Sequence, residues 1–337
     1  MAVVTAPAIA EAHQLHYGDA ATNWRSTVTA VTPAAAVHAT TGDATQRLTV
    51  SIHRATVVVI LGYGGEPFVR LDRHGAWVNQ RSPTTYAVAG PQVKVPADAA
   101  DTATPRWRRV ATTGTWTWHD IRTHWPGYAL PPPVEQHPDR HQQVLAWSVP
   151  LIADGGRGAI DGALDWVPGP TGAFGGSLAA LMLAAVVGLA LVRRENLTLA
   201  AVTLALVAVD IVHSVGMVEG RVGGLGSRLG ALPGHGVLPG LLWATAGATA
   251  VLLARRREAG LYLAAIVGAL LCFTEGLPSL AVVWHSQYAN ALPGAVDRGL
   301  VAVLTGGGIG LFTAAVLLLV RSSRRLRISQ PIRGGTA

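Results

Sequence analysis

Cysteine, lysine, methionine and charge are all scarce in this 337-residue chain. One cysteine, Cys272, excludes an intrachain disulfide framework, and it lies inside an apolar run where it reads as a small buried hydrophobe. Only 13% of residues are charged, against about 25% in ordinary soluble domains, while 50% are hydrophobic. That balance argues against a fully soluble protein. Lys94 is the sole lysine, so nearly all positive charge is arginine. The net charge of +7 sits mostly in short Arg clusters between apolar runs, a membrane-topology pattern, and no nucleic-acid partner is expected. Besides Met1 only Met182 and Met217 occur, which argues against Cu(I) trafficking through thioethers.

The apolar residues concentrate after position 173. A helix needs about 20 apolar residues to cross a bilayer. Five stretches qualify: 174–192, 197–217, 236–254, 261–284 and 300–320. Pro239 falls in a first helical turn, where proline is tolerated, and Pro278 is expected to kink the fourth stretch. Ten arginines flank one side: Arg193, Arg194, Arg255, Arg256, Arg257, Arg321, Arg324, Arg325, Arg327 and Arg333. Three lie in the short loops of the other side: Arg221, Arg228 and Arg298. The positive-inside rule then predicts a multi-pass inner-membrane protein with residues 1–173 extracytoplasmic and a basic cytoplasmic tail over 322–337. Residues 1–12 read as a degenerate or mis-started signal peptide with small-x-small sites at Ala8–Ala10 and Ala10–Ala12.

Before position 171 the pattern changes. Short β-rich runs recur at 25–32, 47–52, 56–61, 67–71, 76–79, 115–118, 143–152 and 159–167, punctuated by Gly62, Gly64–Gly65, Gly75 and Gly155–Gly156. The spacing predicts an antiparallel β-sandwich over residues 13–170, joined by the Trp166–Pro170 link to a five-helix transmembrane bundle over 171–321. Residues 90–106 and 127–141 read as long loops.

Several segments resemble an uncharacterised family of actinobacterial polytopic membrane proteins with an exported β-sandwich head. They are Asn23-Trp24-Arg25, LGYGGEPFVRL (61–71), NQRSPTTY (79–86), WHDIRTHW (118–125) and WVPGP (166–170). The resemblance implies a fold and a topology, with no established activity. The family often carries a histidine where this chain has Ile121, so one candidate ligand is missing here.

All twelve histidines lie in the head or toward the outer side of the expected topology. Imidazole suits Cu(II) and zinc. Cleavage after Ala12 would make His13 the first mature residue, whose amine and ring could chelate Cu(II), as at the terminal histidine of exported copper-resistance β-sandwich proteins. Cleavage after Ala10 would place His13 third, which also binds Cu(II) in a plane. His16 could assist. His119 and His124 are five apart and point to opposite faces of an extended strand, so they share a metal only if the chain turns between them. The structural alternative pairs Asp120 with Arg122 and packs Trp118 and Trp125 in a core.

Asp210 and His213 share a helix face, and Glu275 lies near Pro278. With His285 they form a candidate intramembrane polar cluster, read either as an ion or proton path or as helix-to-helix hydrogen bonding. No catalytic residue and no enzyme signature is found: Ser82 and Ser148 lack a nucleophile elbow, and Gly223–Gly226 lacks a nucleotide-site context. The expected functions are copper binding and handling, with passage toward the bundle, or a non-catalytic scaffold or sensor that binds an envelope or protein partner. A membrane enzyme ranks last, because no nucleophile, acid–base pair or cofactor motif is assembled. The lipid bilayer is the expected environment in each case.

Overall fold

The structure, a computed structural model, describes residues 21–42, 47–53, 56–90, 92–127, 129–189, 195–221 and 237–328. The chain divides into two compact units. One comprises residues 1–169 with 285–289, the other 170–284 with 290–337.

The first unit is an antiparallel β domain. Its strands are β1 (Trp24–Thr32), β2 (Val37–Thr41), β3 (Arg47–Ile52), β4 (Val58–Leu61), β5 (Pro67–Asp72), β6 (Gly75–Asn79), β7 (Trp107–Ala111), β8 (Thr115–His119), β9 (Gln142–Ala153) and β10 (Gly156–Trp166). Two short helices, α1 (Pro83–Ala87) and α2 (Pro132–Gln136), interrupt them. A seven-stranded sheet runs β1-β10-β9-β4-β5-β6-β7, and a three-stranded sheet runs β2-β3-β8. Alternation decides which faces are buried. In β10, Ile160 and Leu164 point inward, while Asp161 and Asp165 are less buried.

Leu48, Val50 and Trp118 of the small sheet share one core with Ile60, Phe68, Leu71, Val149 and Leu151 of the large sheet. Phe68 meets Trp118 edge-on at 5.8 Å between centroids, a favourable aromatic geometry. Two strands differ from expectation. β2 and β7 fall outside the runs read from sequence: β2 is only five residues long, and the consecutive exposed Arg108 and Arg109 of β7 break alternation. Residues 90–106 hold no strand or helix among the described residues, as expected, whereas 127–141 contains α2.

Residues 285–289 lie between helices in the sequence yet belong to the β unit. Gln287 and Thr22 exchange two backbone hydrogen bonds of 2.9 and 2.8 Å. Asn23 accepts from the Ser286 N–H at 2.9 Å, and Ser286 donates its hydroxyl to the Val167 carbonyl at 2.7 Å. The Asn23-Trp24-Arg25 and WVPGP segments therefore contribute Asn23 and Val167 to a single clasp.

The second unit is helical: α3 (Ala173–Leu189), α4 (Glu195–Arg221), α5 (Val237–Ala254), α6 (Ala259–Leu270) and α7 (Gly294–Ile328). Among the described residues three helices are long and apolar enough to cross a membrane, over Glu195–Met217, Ala259–Gly276 and Gly294–Arg324. Over the described residues helix α3 has 17 residues, which span about 26 Å against a hydrocarbon core of roughly 30 Å. The apolar part of α5, Pro239–Ala254, is also short. The fourth apolar stretch, expected as one kinked helix to residue 284, is divided. Helix α6 gives way to a π-helical turn over Leu271–Gly276, then a 3₁₀ turn over Leu280–Val283. Pro278 lacks an N–H and crowds the carbonyl four residues back, so regular helix ends ahead of it.

Close helix contact is set by glycine. A Cβ at Gly306 would stand 2.0 Å from the Ala179 carbonyl oxygen, and one at Gly308 would stand 2.8 Å from the Gly268 carbonyl oxygen. These positions let α7 approach α3 and α6 backbone to backbone. Large apolar side chains remain exposed on the helices, among them Phe174, Leu181, Leu241 and Phe273. That surface is compatible with lipid contact.

Candidate functional site

Three sequence motifs converge in the β unit. The turn before β5 brings Gly62 against Glu66 and Thr84, leaving no room for a Cβ. Buried Glu66 accepts hydrogen bonds from the Ser82 hydroxyl, the Thr84 N–H at 3.3 Å and the Gly64 N–H at 3.0 Å. Burial opposes its charge, but the hydrogen bonds from Ser82 and Thr84 hold its carboxyl below the ordinary value. GYGGEP and RSPTT thus form one carboxylate cradle.

The WHDIRTHW motif completes the assembly. Asp120 is fully buried and follows β8 directly, capping the turn after it. Its Oδ1 accepts from the Arg122 N–H at 3.0 Å, which turns the chain into a 3₁₀ turn over Ile121–Thr123. Arg122 clasps both carboxylate oxygens at 2.9 and 2.6 Å, and Trp118 donates its indole N–H to Oδ2 at 2.9 Å. Burial works against ionisation of Asp120, but Arg122 and then Trp118 outweigh it and lower its pKa. The Arg122 guanidinium also lies 5.0 Å over the Tyr63 ring and donates to the Leu61 carbonyl at 3.2 Å. Burial, with Asp120 nearby, pushes the Tyr63 phenol up to about 12. The expected Asp120–Arg122 pair and buried Trp118 are therefore present, and Trp125 is partly buried against the same core.

That turn has a second effect. His119 and His124 come together, with ring centroids 4.2 Å apart and planes inclined by 38°. The chain does turn between them, the condition on which a shared ligand depended. Burial, then the neighbouring His119, lowers the His124 pKa to about 3. Burial, then Arg47, lowers that of His119. Both rings are neutral at pH 7, the form that binds metals. The Nε2 atom of His124 is buried with no hydrogen-bond partner among the described residues. Among the described residues no group of three or more His, Cys, Asp or Glu is placed to enclose a metal, so the structure supplies a pair of imidazoles. His13 and His16 lie outside the described residues.

The helical unit holds a second polar cluster. His213 of α4 meets Asp297 of α7 at 2.9 Å through Nδ1 and approaches the Ser279 hydroxyl at 3.3 Å through Nε2. Asn290 donates to the same Asp297 oxygen at 2.7 Å. Asp210, one turn before His213, accepts from the Trp243 indole of α5 at 2.7 Å. Asp210, His213 and Asp297 are each at most 1% exposed. Asp210 Oδ1 and Asp297 Oδ2 have no hydrogen-bond partner among the described residues. Glu275 accepts from the Thr274 hydroxyl at 3.4 Å, and His285 belongs to the segment grouped with the β unit. Sequence reading missed Asp297, Ser279, Asn290 and Trp243. Asp297 could have been found as an acid at the first turn of the last apolar helix, where hydrocarbon allows few unpaired charges.

The chain matches no protein-family model, no curated protein and no solved structure.

Proposed function

We propose that this chain is a multi-pass membrane protein whose β unit binds a divalent metal, with Cu(II) the favoured ion, on His119 and His124. The observation that carries the proposal is the pair itself: two neutral imidazoles with ring centroids 4.2 Å apart, one with a buried ring nitrogen that bonds to no group among the described residues. Buried polar atoms without partners are rare in folded proteins, and a coordinated ion would satisfy this one. Imidazole is a good ligand for Cu(II), as it is for zinc. Water and the amino-terminal His13 or His16 are the candidates for the remaining positions. In this reading all five apolar helices lie in lipid, the β unit faces outward, and the arginine clusters stay on the cytoplasmic side.

The purified full chain, stripped with chelator and titrated with Cu(II), tests the assignment. Stoichiometric binding with nitrogen hyperfine structure in the electron paramagnetic resonance spectrum is expected. Both His119→Ala and His124→Ala should weaken it. An unchanged spectrum in the double variant, or no stoichiometric copper in the parent chain, removes the metal role. The β unit then stands as a scaffold or sensor for an envelope partner, with Asp120 and Arg122 purely structural.

A further inference from the structure

The helical unit contains a cavity of about 240 Å³ at the end opposite His213 along α4. Arg256, Arg257 and Arg321 line it, with Asn196 and Ser322 as neutral hydrogen-bonding groups. Leu261 and Leu318 form its buried apolar wall. Two carboxylates are present as well, Glu195 and Glu258. Glu258 accepts from the Ser322 hydroxyl at 3.3 Å. Among the described residues none of the three guanidinium groups is ion-paired. Three planar donor forks thus share one hollow with two carboxylates, none of them closed into an ion pair among the described residues, and such forks match phosphate oxygens.

The backbone adds a second observation. Helix α5 ends in a Schellman turn: Arg256 N–H bonds the Leu253 carbonyl and Arg257 N–H bonds the Leu252 carbonyl, both at 2.9 Å. The residue in the left-handed position is Arg256, with φ 54°, where glycine is the usual choice. A side chain in that conformation works against local stability, whereas the cation it carries is favoured at a helix C-terminus.

Location selects the source of the phosphate. All three membrane-length segments begin or end beside this cavity: Glu195 lines it, Ala259 follows Glu258, and Arg324 lies one turn beyond Arg321. Lipid headgroups occupy that level. The volume is below the roughly 300–1,000 Å³ of pockets that enclose a whole small molecule, so it admits a headgroup with its acyl chains outside. We propose that this cavity grips the phosphate of an anionic phospholipid headgroup through Arg256, Arg257 and Arg321. The site rests on these helices lying in lipid and is independent of the metal reading.

Thermal unfolding of the full chain in mixed micelles tests it, with phosphatidylglycerol or phosphatidylcholine at equal mole fraction, and with inorganic phosphate alone as a third arm. The parent chain should gain stability from phosphatidylglycerol only. Arg257→Gln and Arg321→Gln should each raise the half-saturating phosphatidylglycerol fraction about fivefold. Arg256→Gly separates binding from folding: its melting temperature without anionic lipid should equal or exceed the parent's, while its response to phosphatidylglycerol falls by the same factor. Arg324→Gln, outside the cavity lining, should respond as the parent does. An undiminished response in the three cavity variants, or an equal loss in Arg324→Gln, overturns the site. A full response to inorganic phosphate overturns the lipid assignment, and a chain that is soluble without detergent overturns the membrane reading beneath it.

Discussion

Acidification from pH 6.5 to 5 should weaken the β unit through His124. In the folded protein burial and His119 hold the His124 pKa at about 3, whereas the unfolded chain takes up its proton near 6.5. Above pH 6.5 the ring is neutral in both states and contributes no pH dependence. Between 6.5 and 3 the unfolded chain binds more protons, so stability falls as pH falls. By pH 5 the loss from His124 alone is about 2 kcal/mol, roughly thirtyfold in the folded-to-unfolded ratio. His119 adds to the loss in the same direction. Glu66 and Asp120, both held below their ordinary values, act below this window: their contribution is present above the unfolded carboxylate values and is lost as pH falls through the folded ones. The assay is urea unfolding of metal-free full chain in mild detergent, followed by tryptophan fluorescence at pH 7, 6.5, 6, 5.5 and 5. His124→Phe keeps a ring beside His119 and removes the titration. Its stability should decline less than the parent's over this range, by about 2 kcal/mol at pH 5. Parallel curves for parent and variant would show that His124 is not buried in neutral form, and the metal-competent pair would lose its electrostatic basis.

Other expectations follow from the same contacts. Arg122→Met leaves Asp120 buried and unpaired and should cost about 3–5 kcal/mol, read as a lowered urea midpoint with unchanged slope. His213→Ala strips Asp297 of one partner and should cost about 1–3 kcal/mol of helical-unit stability, measured by thermal aggregation in detergent. Gly306→Val drives a side chain into the Ala179 carbonyl and should cost about 1–3 kcal/mol or more by the same measurement. Protease added to intact cells should cut the β unit and spare the chain beyond Arg321 if the arginine clusters are cytoplasmic. The reverse pattern would invert the topology.

Legibility differs with the range of the interaction. Strand β3 is plain in the sequence because Leu48, Val50 and Ile52 alternate, and β8 because Trp116 and Trp118 do. Strand β7 is hidden because its pairing with β6 is backbone work that leaves Arg108 and Arg109 in solvent. The His119–His124 pair is half legible. Strand geometry puts the two on opposite faces, and only the Asp120 side chain bonding the Arg122 N–H turns the second ring back. An aspartate before Ile-Arg-Thr is a turn signal that could have been weighed against the strand. The Glu66 cradle is not legible, since Ser82 and Thr84 reach it from another loop. Nor is the His213–Asp297 contact, which joins two helices far apart in sequence.

The clasp of Thr22 and Asn23 on residues 286 and 287 imposes an order on biosynthesis. A ribosome delivers the partners of these two early residues only after α3 through α6 have been translated. Until then the peptide groups of Thr22 and the side-chain amide of Asn23 lack the partners they hold in the folded protein. A chain interrupted before Ser286 therefore cannot form these bonds, and the edge of the β unit at Thr22 and Asn23 closes only when the later segment arrives.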